Sequence, residues 1–158
     1  MNTKKNIMSV DLEDYFCDLP FSEWTSYESR IEETTDVILE LFAKYDVTAT
    51  FFTLGYIAEK FPQLIEKICS SGHEIASHGY SHLDLRKISK SDFESDLIKS
   101  IQILEKTSNE KIRGFRAPFF SVNSKNTWVF DILEKHVTYD SSIFPVRTPL
   151  YGIPSAPI

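Results

Sequence analysis

The stretch HEIASHGYSH, residues 73–82, reads as a short apolar strand that runs straight into two histidines four residues apart. Gly72 closes the helical pattern before it, and Ile75 and Ala76 supply the centre of a buried strand. A strand that delivers polar, chemistry-bearing residues at its C-terminal end belongs to parallel α/β folds, where ligand sites collect at that end. The same unit recurs along the chain. Strands are expected over 7–11, 47–53, 73–77, 112–116 and 137–141. Between them come a helix with Ile31, Thr35, Ile38, Phe42 and Tyr45 on one face, and a helical stretch opened by Gly55 and restarted at Pro62. A long amphipathic helix follows, capped by Ser91 and Glu94 and running to about Thr107, and then a helix over 125–136.

The order βαβαβαβαβ calls for parallel strands joined by right-handed helical crossovers. An open doubly wound sheet and part of a barrel both satisfy it, and in either one Asp11, His78, Arg116 and Asp140 stand at C-terminal strand ends and converge on one site. The 158 residues make one domain, but fall short of the ~250 of a complete (β/α) barrel. The fold expected is therefore α/β.

Composition narrows the partners. Apolar residues at 42% and charged residues at 25% describe a globular chain, and a net charge of −6 leaves no basic stripe for a phosphate backbone, which argues against nucleic acid. No run approaches the ~20 apolar residues of a transmembrane segment, and MNTKKNIMSVDLEDYF lacks the apolar core of a signal peptide, so a cytoplasmic location is expected. Cys17 and Cys69 are isolated thiols without ligand spacing. The segment FPVRTPLYGIPSAP, residues 144–157, reads as a loop.

His78 and His82 in one even helical turn would face the same ion, about 2.0 Å from each nitrogen; the competing reading is two turn histidines bonded to backbone. The glutamate that follows the first histidine of zinc-protease helices is here Gly79, so a base must come from elsewhere. Asp11 and Glu13 project to one side of the first strand and can divide the roles of base and ligand, whereas each acid alone reads equally as a solvated strand end; Asp14 points elsewhere or begins the loop. Arg116, set among apolar residues in GFRAPFF, needs a carboxylate and would orient Asp11, or else it is a strand-end surface arginine. Pro118 fixes the backbone that follows, so nearby amides can face a reacting oxygen. Asp140 either pairs with Arg116 or caps a turn. His73 reads as a satisfied strand histidine and His136 as a helix-end one.

Taken in order, SVDLEDYF (9–16), SHGYSHLDL (77–85), FRAPFF (115–120) and YDSSIFP (139–145) resemble the four successive motifs of the NodB-homology polysaccharide deacetylases, carbohydrate esterase family four. The spelling of the first and last is similar to deacetylases associated with exopolysaccharide and exosortase loci. The resemblance implies a partial, irregular (β/α)7 barrel with about five βα units present. It implies a hydrolase that removes N-acetyl groups from amino sugars of an oligo- or polysaccharide. Asp11 would be the general base, Arg116 the group that tunes it, His78 and His82 the ligands of a divalent metal, zinc first among the candidates, with Glu13 or Asp14 as third ligand. Pro118, Phe119, Phe120 and Asp140 would line the substrate site. The family's fifth motif, which carries a proton-donating histidine, has no counterpart here. The expectation is thus a domain lacking its C-terminal part, with an exposed strand edge through which it could self-associate. Two rivals stand beside the deacetylase: a non-catalytic carbohydrate- or partner-binding remnant, and an amidohydrolase acting on a small non-sugar amide.

Overall fold

Five short parallel strands pair in the order in which they occur, β1 (Ser9–Leu12), β2 (Thr50–Thr53), β3 (Glu74–Ser77), β4 (Gly114–Phe115) and β5 (Tyr139–Asp140). The computed structural model describes residues 6–148 and 151–156; the N-terminal lysines, Pro149 and Pro157 lie outside the described residues, and so do the expectations that fell on them. A doubly wound sheet would reverse its order at a switch point, and this one does not. The fold is α/β, a parallel five-stranded sheet winding in one direction as part of a barrel.

Alternation along the strands sorts the side chains into two layers. Register aligns Val10, Phe51 and Ile75, and these pack with Phe42, Ile57, Ile65 and Ile68 of the covering helices. Farther along the sheet Phe115 packs on Phe93, Leu97, Val129 and Ile132. The opposite face carries Ser9, Asp11, Thr50, Glu74 and Arg116 around buried Phe52 and Ala76. Four helices precede β4: α1 (Ile31–Lys44), α2 (Gly55–Lys60), α3 (Pro62–Ser70) and α4 (Lys90–Ser108). The last, α5 (Trp128–Leu133), follows it. No helix among the described residues is long and apolar enough to cross a membrane.

Several boundaries differ from expectation for local reasons. The α1 stripe buries Leu39, while Tyr45 is exposed just past the helix end. The α4 cap is Ser89 rather than Ser91, two residues early: its hydroxyl accepts from the Asp92 amide at 3.2 Å and donates to the Asp92 carboxylate at 2.6 Å. Helix α5 starts at Trp128 because the Asn126 side chain ties 121–126 into a loop, accepting from Asn123 N at 2.7 Å and donating to Leu85 O and Ser121 O. The connection after β1 holds a 3-10 turn over Phe21–Ser26, whose Trp24 is buried against Phe16, Phe21 and Tyr56.

Gly55 opens α2 where a side chain has no room. A Cβ there would lie 2.9 Å from the Ser100 Cα of α4 and 3.0 Å from the Tyr80 ring. Its amide meanwhile reaches Gly79 O at 2.9 Å, so α2 is joined to the histidine-bearing loop at the same point. Gly55→Ala is expected to lower stability by about 1–3 kcal/mol, read as a reduced midpoint in urea unfolding with an unchanged slope.

Candidate metal centre

Strand β3 hands the chain to His78 while the ladder still holds, with His78 N donating to Thr53 O at 2.9 Å. Residues 78–82 then form a loop, not the expected helical turn, because Gly79 (φ 78) and His82 (φ 54) both take left-handed backbone. The loop nevertheless brings the two imidazoles together at a ring separation of 5.3 Å. Each ring is oriented by a main-chain carbonyl: His78 Nδ1 lies 2.7 Å from Arg116 O, and His82 Nδ1 3.1 Å from Cys17 O. With those carbonyls accepting Nδ1–H, both Nε2 atoms present lone pairs. Exposed Asp18 approaches His82 Nδ1 at 3.5 Å.

Glu13, one residue past β1, closes the group. Its Oε2 stands 2.8 Å from His82 Nε2 and 3.8 Å from His78 Nε2, and one donor atom from each of the three residues lies within 4.8 Å of the others. That oxygen is buried without a hydrogen-bond donor. Lone pairs thus face one another at contact distance, an arrangement that calls for a cation between them. Burial opposes the charge on Glu13, but when the imidazoles carry a positive charge their attraction outweighs it and brings its carboxyl below its ordinary value. Burial holds His78 below its ordinary value despite Asp11 and Glu13 nearby, which favours the neutral ring that a metal requires. The residues fit a divalent metal, and no other such group occurs among the described residues.

Beside this cluster Arg116 Nη1 donates to Asp11 Oδ1 at 2.6 Å. Its Nη2 donates to Ser9 Oγ (3.0 Å) and Ser141 Oγ (2.9 Å) and its Nε to Ser141 O (3.3 Å), and the guanidinium lies 4.0 Å over the Phe52 ring. So anchored, it fixes Asp11 through one oxygen and leaves the other without a donor among the described residues. Pro118 opens a tight turn in which Phe119 and Phe120 both have positive φ (57° and 45°). The Phe119 ring lies 4.5 Å from that of His82, the Phe120 amide is tied to Ala117 O at 3.2 Å, and the Phe119 amide is left outside that bond.

Two sequence-derived candidates fall elsewhere. Asp14 turns away from the histidines: its carboxylate accepts from Ser29 Oγ at 2.5 Å, Arg30 N at 3.1 Å and Tyr15 N at 3.0 Å, so it is spent on securing the loop that leads into α1. Asp140 does not pair with Arg116; it caps the turn after β5, taking Ser142 Oγ and Ser142 N at 2.5 and 3.0 Å, and burial raises its carboxyl above its ordinary value. His73 is buried against Phe42 and Phe51 and accepts from Ala49 N, while His136 sits by Glu94.

Sequence reasoning passed over the partners of these groups. Ser9 and Ser141 hold Arg116, and Cys17 contributes its carbonyl rather than its thiol. Asp96 of α4 grips the segment between the histidines, accepting from Tyr80 N (2.7 Å), Ser81 N (3.2 Å) and Ser81 Oγ (2.7 Å). Gly79 makes that grip possible, since a Cβ there would meet the Asp96 carboxylate at 2.9 Å. The one advance signal was Ser89: once it caps α4, Asp96 lies one turn beyond Asp92 on the same helix.

Parallel strands with two histidines, a glutamate and an arginine-held aspartate at their C-terminal ends define a barrel-type protein with a candidate metal centre at the rim. The chain belongs to the polysaccharide deacetylase family, which residues 20–136 match. It is 37% identical over 87 residues to a peptidoglycan-N-acetylglucosamine deacetylase of Bacillus cereus, a match that covers 55% of this chain and 32% of that protein. The crystal structure of the Bc1960 peptidoglycan N-acetylglucosamine deacetylase in complex with 4-naphthalen-1-yl-N-oxidanyl-benzamide superposes with a TM-score of 0.65 at 26% identity, covering 85% of this chain and 54% of that one. A Bacillus anthracis pseudoenzyme of carbohydrate esterase family four gives 0.63 at 26% identity, covering 69% and 38%. The chain spans about a third of the length of the curated B. cereus relative.

Asp96→Ala is expected to weaken binding of a divalent ion about tenfold to a hundredfold in calorimetric titration while far-UV circular dichroism stays unchanged. Asp14→Ala should have the opposite profile, a loss of about 1–3 kcal/mol in urea unfolding with metal stoichiometry retained.

Proposed function

We propose that this chain is the metal-bearing part of an N-deacetylase that hydrolyses the acetamido group of an amino sugar in a glycan, releasing acetate and a free amine. One observation carries the reading: the Glu13, His78 and His82 donors face one another beside an aspartate whose orientation Arg116 fixes. The B. cereus likeness supports the choice of acetylated amino sugar. Zinc suits a donor set of two imidazoles and one carboxylate, with other first-row divalent ions next in line. When bound, such an ion supplies Lewis-acid polarisation of the acyl oxygen and an acidified water.

The chain's own residues do the rest. The unpaired oxygen of Asp11 takes the proton that water gives up as it adds to the carbonyl carbon. Arg116 keeps that oxygen in place, its guanidinium anchored in turn on Ser9 and Ser141. The Phe119 amide offers a hydrogen bond to the oxygen on which charge grows, and its ring shields His82 from bulk water. Collapse then breaks the C–N bond, and the amine leaves with the proton that Asp11 took from the water.

A second reading, binding without turnover, has its own support: the two remaining histidines among the described residues, His73 and His136, make their contacts away from this cluster. Acetate release from N-acetylglucosamine oligomers by the zinc-loaded protein separates the two. Release is expected, with Asp11→Asn reducing it at least about a hundredfold while metal content is kept. His78→Ala and His82→Ala should lose metal and activity together. Stoichiometric metal with no acetate release would decide for the binding reading.

A further inference from the structure

His73 stands at the opposite end of β3 from the histidine loop, and no step of the proposed reaction uses it. The residue is 6% exposed, and its ring lies between the Phe42 ring of α1 at 5.7 Å and the Phe51 ring of β2 at 5.3 Å. Inside that apolar slot its Nδ1 accepts the Ala49 amide at 3.2 Å. The next residue completes the clasp, since Glu74 N donates to Ala49 O at 3.0 Å. Ala49 is thus held at its amide and at its carbonyl just before β2 begins, once by the imidazole and once by main chain.

A backbone amide can only donate, so this contact fixes the protonation of the ring. Nδ1 must keep its lone pair, and the single proton sits on Nε2. A second proton would go to Nδ1 and set two N–H groups against each other among apolar neighbours. No nearby charge offsets that cost. The elements packed on the ring present Phe42 from α1, Ala49 and Phe51 from the β2 side and the Ile68 carbonyl from α3, none of them titratable. The adjoining Glu74 carboxylate lies on the opposite face of the sheet, where it accepts from Thr50 Oγ1 at 2.6 Å. Burial alone therefore acts on His73, and it holds the ring below its ordinary value.

We propose that His73 is an acid-sensitive latch: on taking up a proton it releases Ala49 and frees the starts of β2 and β3 from each other, loosening the sheet that carries the Glu13, His78 and His82 donors. The sign follows from linkage. A ring that resists its second proton in the folded chain accepts it freely in the unfolded one. The latch therefore contributes in full above about pH 6.5, the ordinary imidazole value, and is progressively lost below it.

Two measurements test the latch, and neither depends on catalysis. In isotope-labelled protein at about pH 7.5, long-range nitrogen–proton correlations should show His73 Nδ1 bare and Nε2 protonated. Between about pH 7.5 and about pH 5.5 the protection factor of the Ala49 amide should fall about tenfold, the ratio that one pH unit below the ordinary imidazole value gives. In urea unfolding over the same interval the midpoint should fall less for His73→Asn than for the wild type. The asparagine oxygen replaces Nδ1 as acceptor but takes no proton, and every other titrating group is common to both proteins. A proton on Nδ1 at the higher pH, Ala49 protection that does not change, or an equal fall of the two midpoints would overturn the proposal. Should His73→Asn not fold, the two readings on the wild-type protein decide alone.

Discussion

Both imidazoles of the centre are oriented by main-chain carbonyls that belong to other strands' connections. Arg116 O follows β4 and Cys17 O follows β1, and each receives an Nδ1–H. A side-chain partner could swing away, but a carbonyl in the backbone moves only if the sheet moves. The facing of Nε2 lone pairs toward Glu13 is thus a property of the parallel sheet, and the geometry of the candidate metal site and the stability of the fold are one problem. The same economy appears at Arg116, whose carbonyl orients His78 while its guanidinium orients Asp11.

The site also concentrates backbone conformations that cost energy elsewhere. His82, Phe119 and Phe120 are non-glycine residues with positive φ, and each such residue costs on the order of 1–3 kcal/mol. They persist because surrounding contacts over-determine them. Asp96 and Cys17 hold the histidine loop; Pro118, Ser121 and Asn126 hold the phenylalanine turn. Strain of this kind places one aromatic ring on His82 and turns its neighbour to Phe144 and Tyr151.

How much of this the sequence discloses depends on the range of the interaction. The strand–helix alternation and the parallel direction follow from apolar periodicity, and the sequential strand order settles between the sheet and barrel options that periodicity leaves open. Asp11, Glu13, His78, His82 and Arg116 are visible because their residue types stand at strand ends. Their partners are not visible: Ser9, Ser141 and Asp96 are ordinary polar residues whose roles depend on contacts across 15 to 107 positions. Asp14 misleads for a related reason. It lies next to Glu13 in the chain, and only the fold shows that Ser29 and Arg30 already occupy its carboxylate. The four-residue histidine spacing pointed to a shared ion through helical geometry, yet a left-handed loop achieves the same convergence.

The sequential strand order bears on how the molecule comes together. Each strand pairs with the one made just before it, so the sheet can lengthen unit by unit from its N-terminal end with short loop closures at every step. The bonds from Arg116 to Asp11 and Ser9 break that rule, bridging 105 and 107 positions. They carry the largest closure entropy and need four strands in place first. The scaffold and the histidine loop can therefore mature while the aspartate is still unrestrained, and the grip of Arg116 on it is among the last acts of assembly.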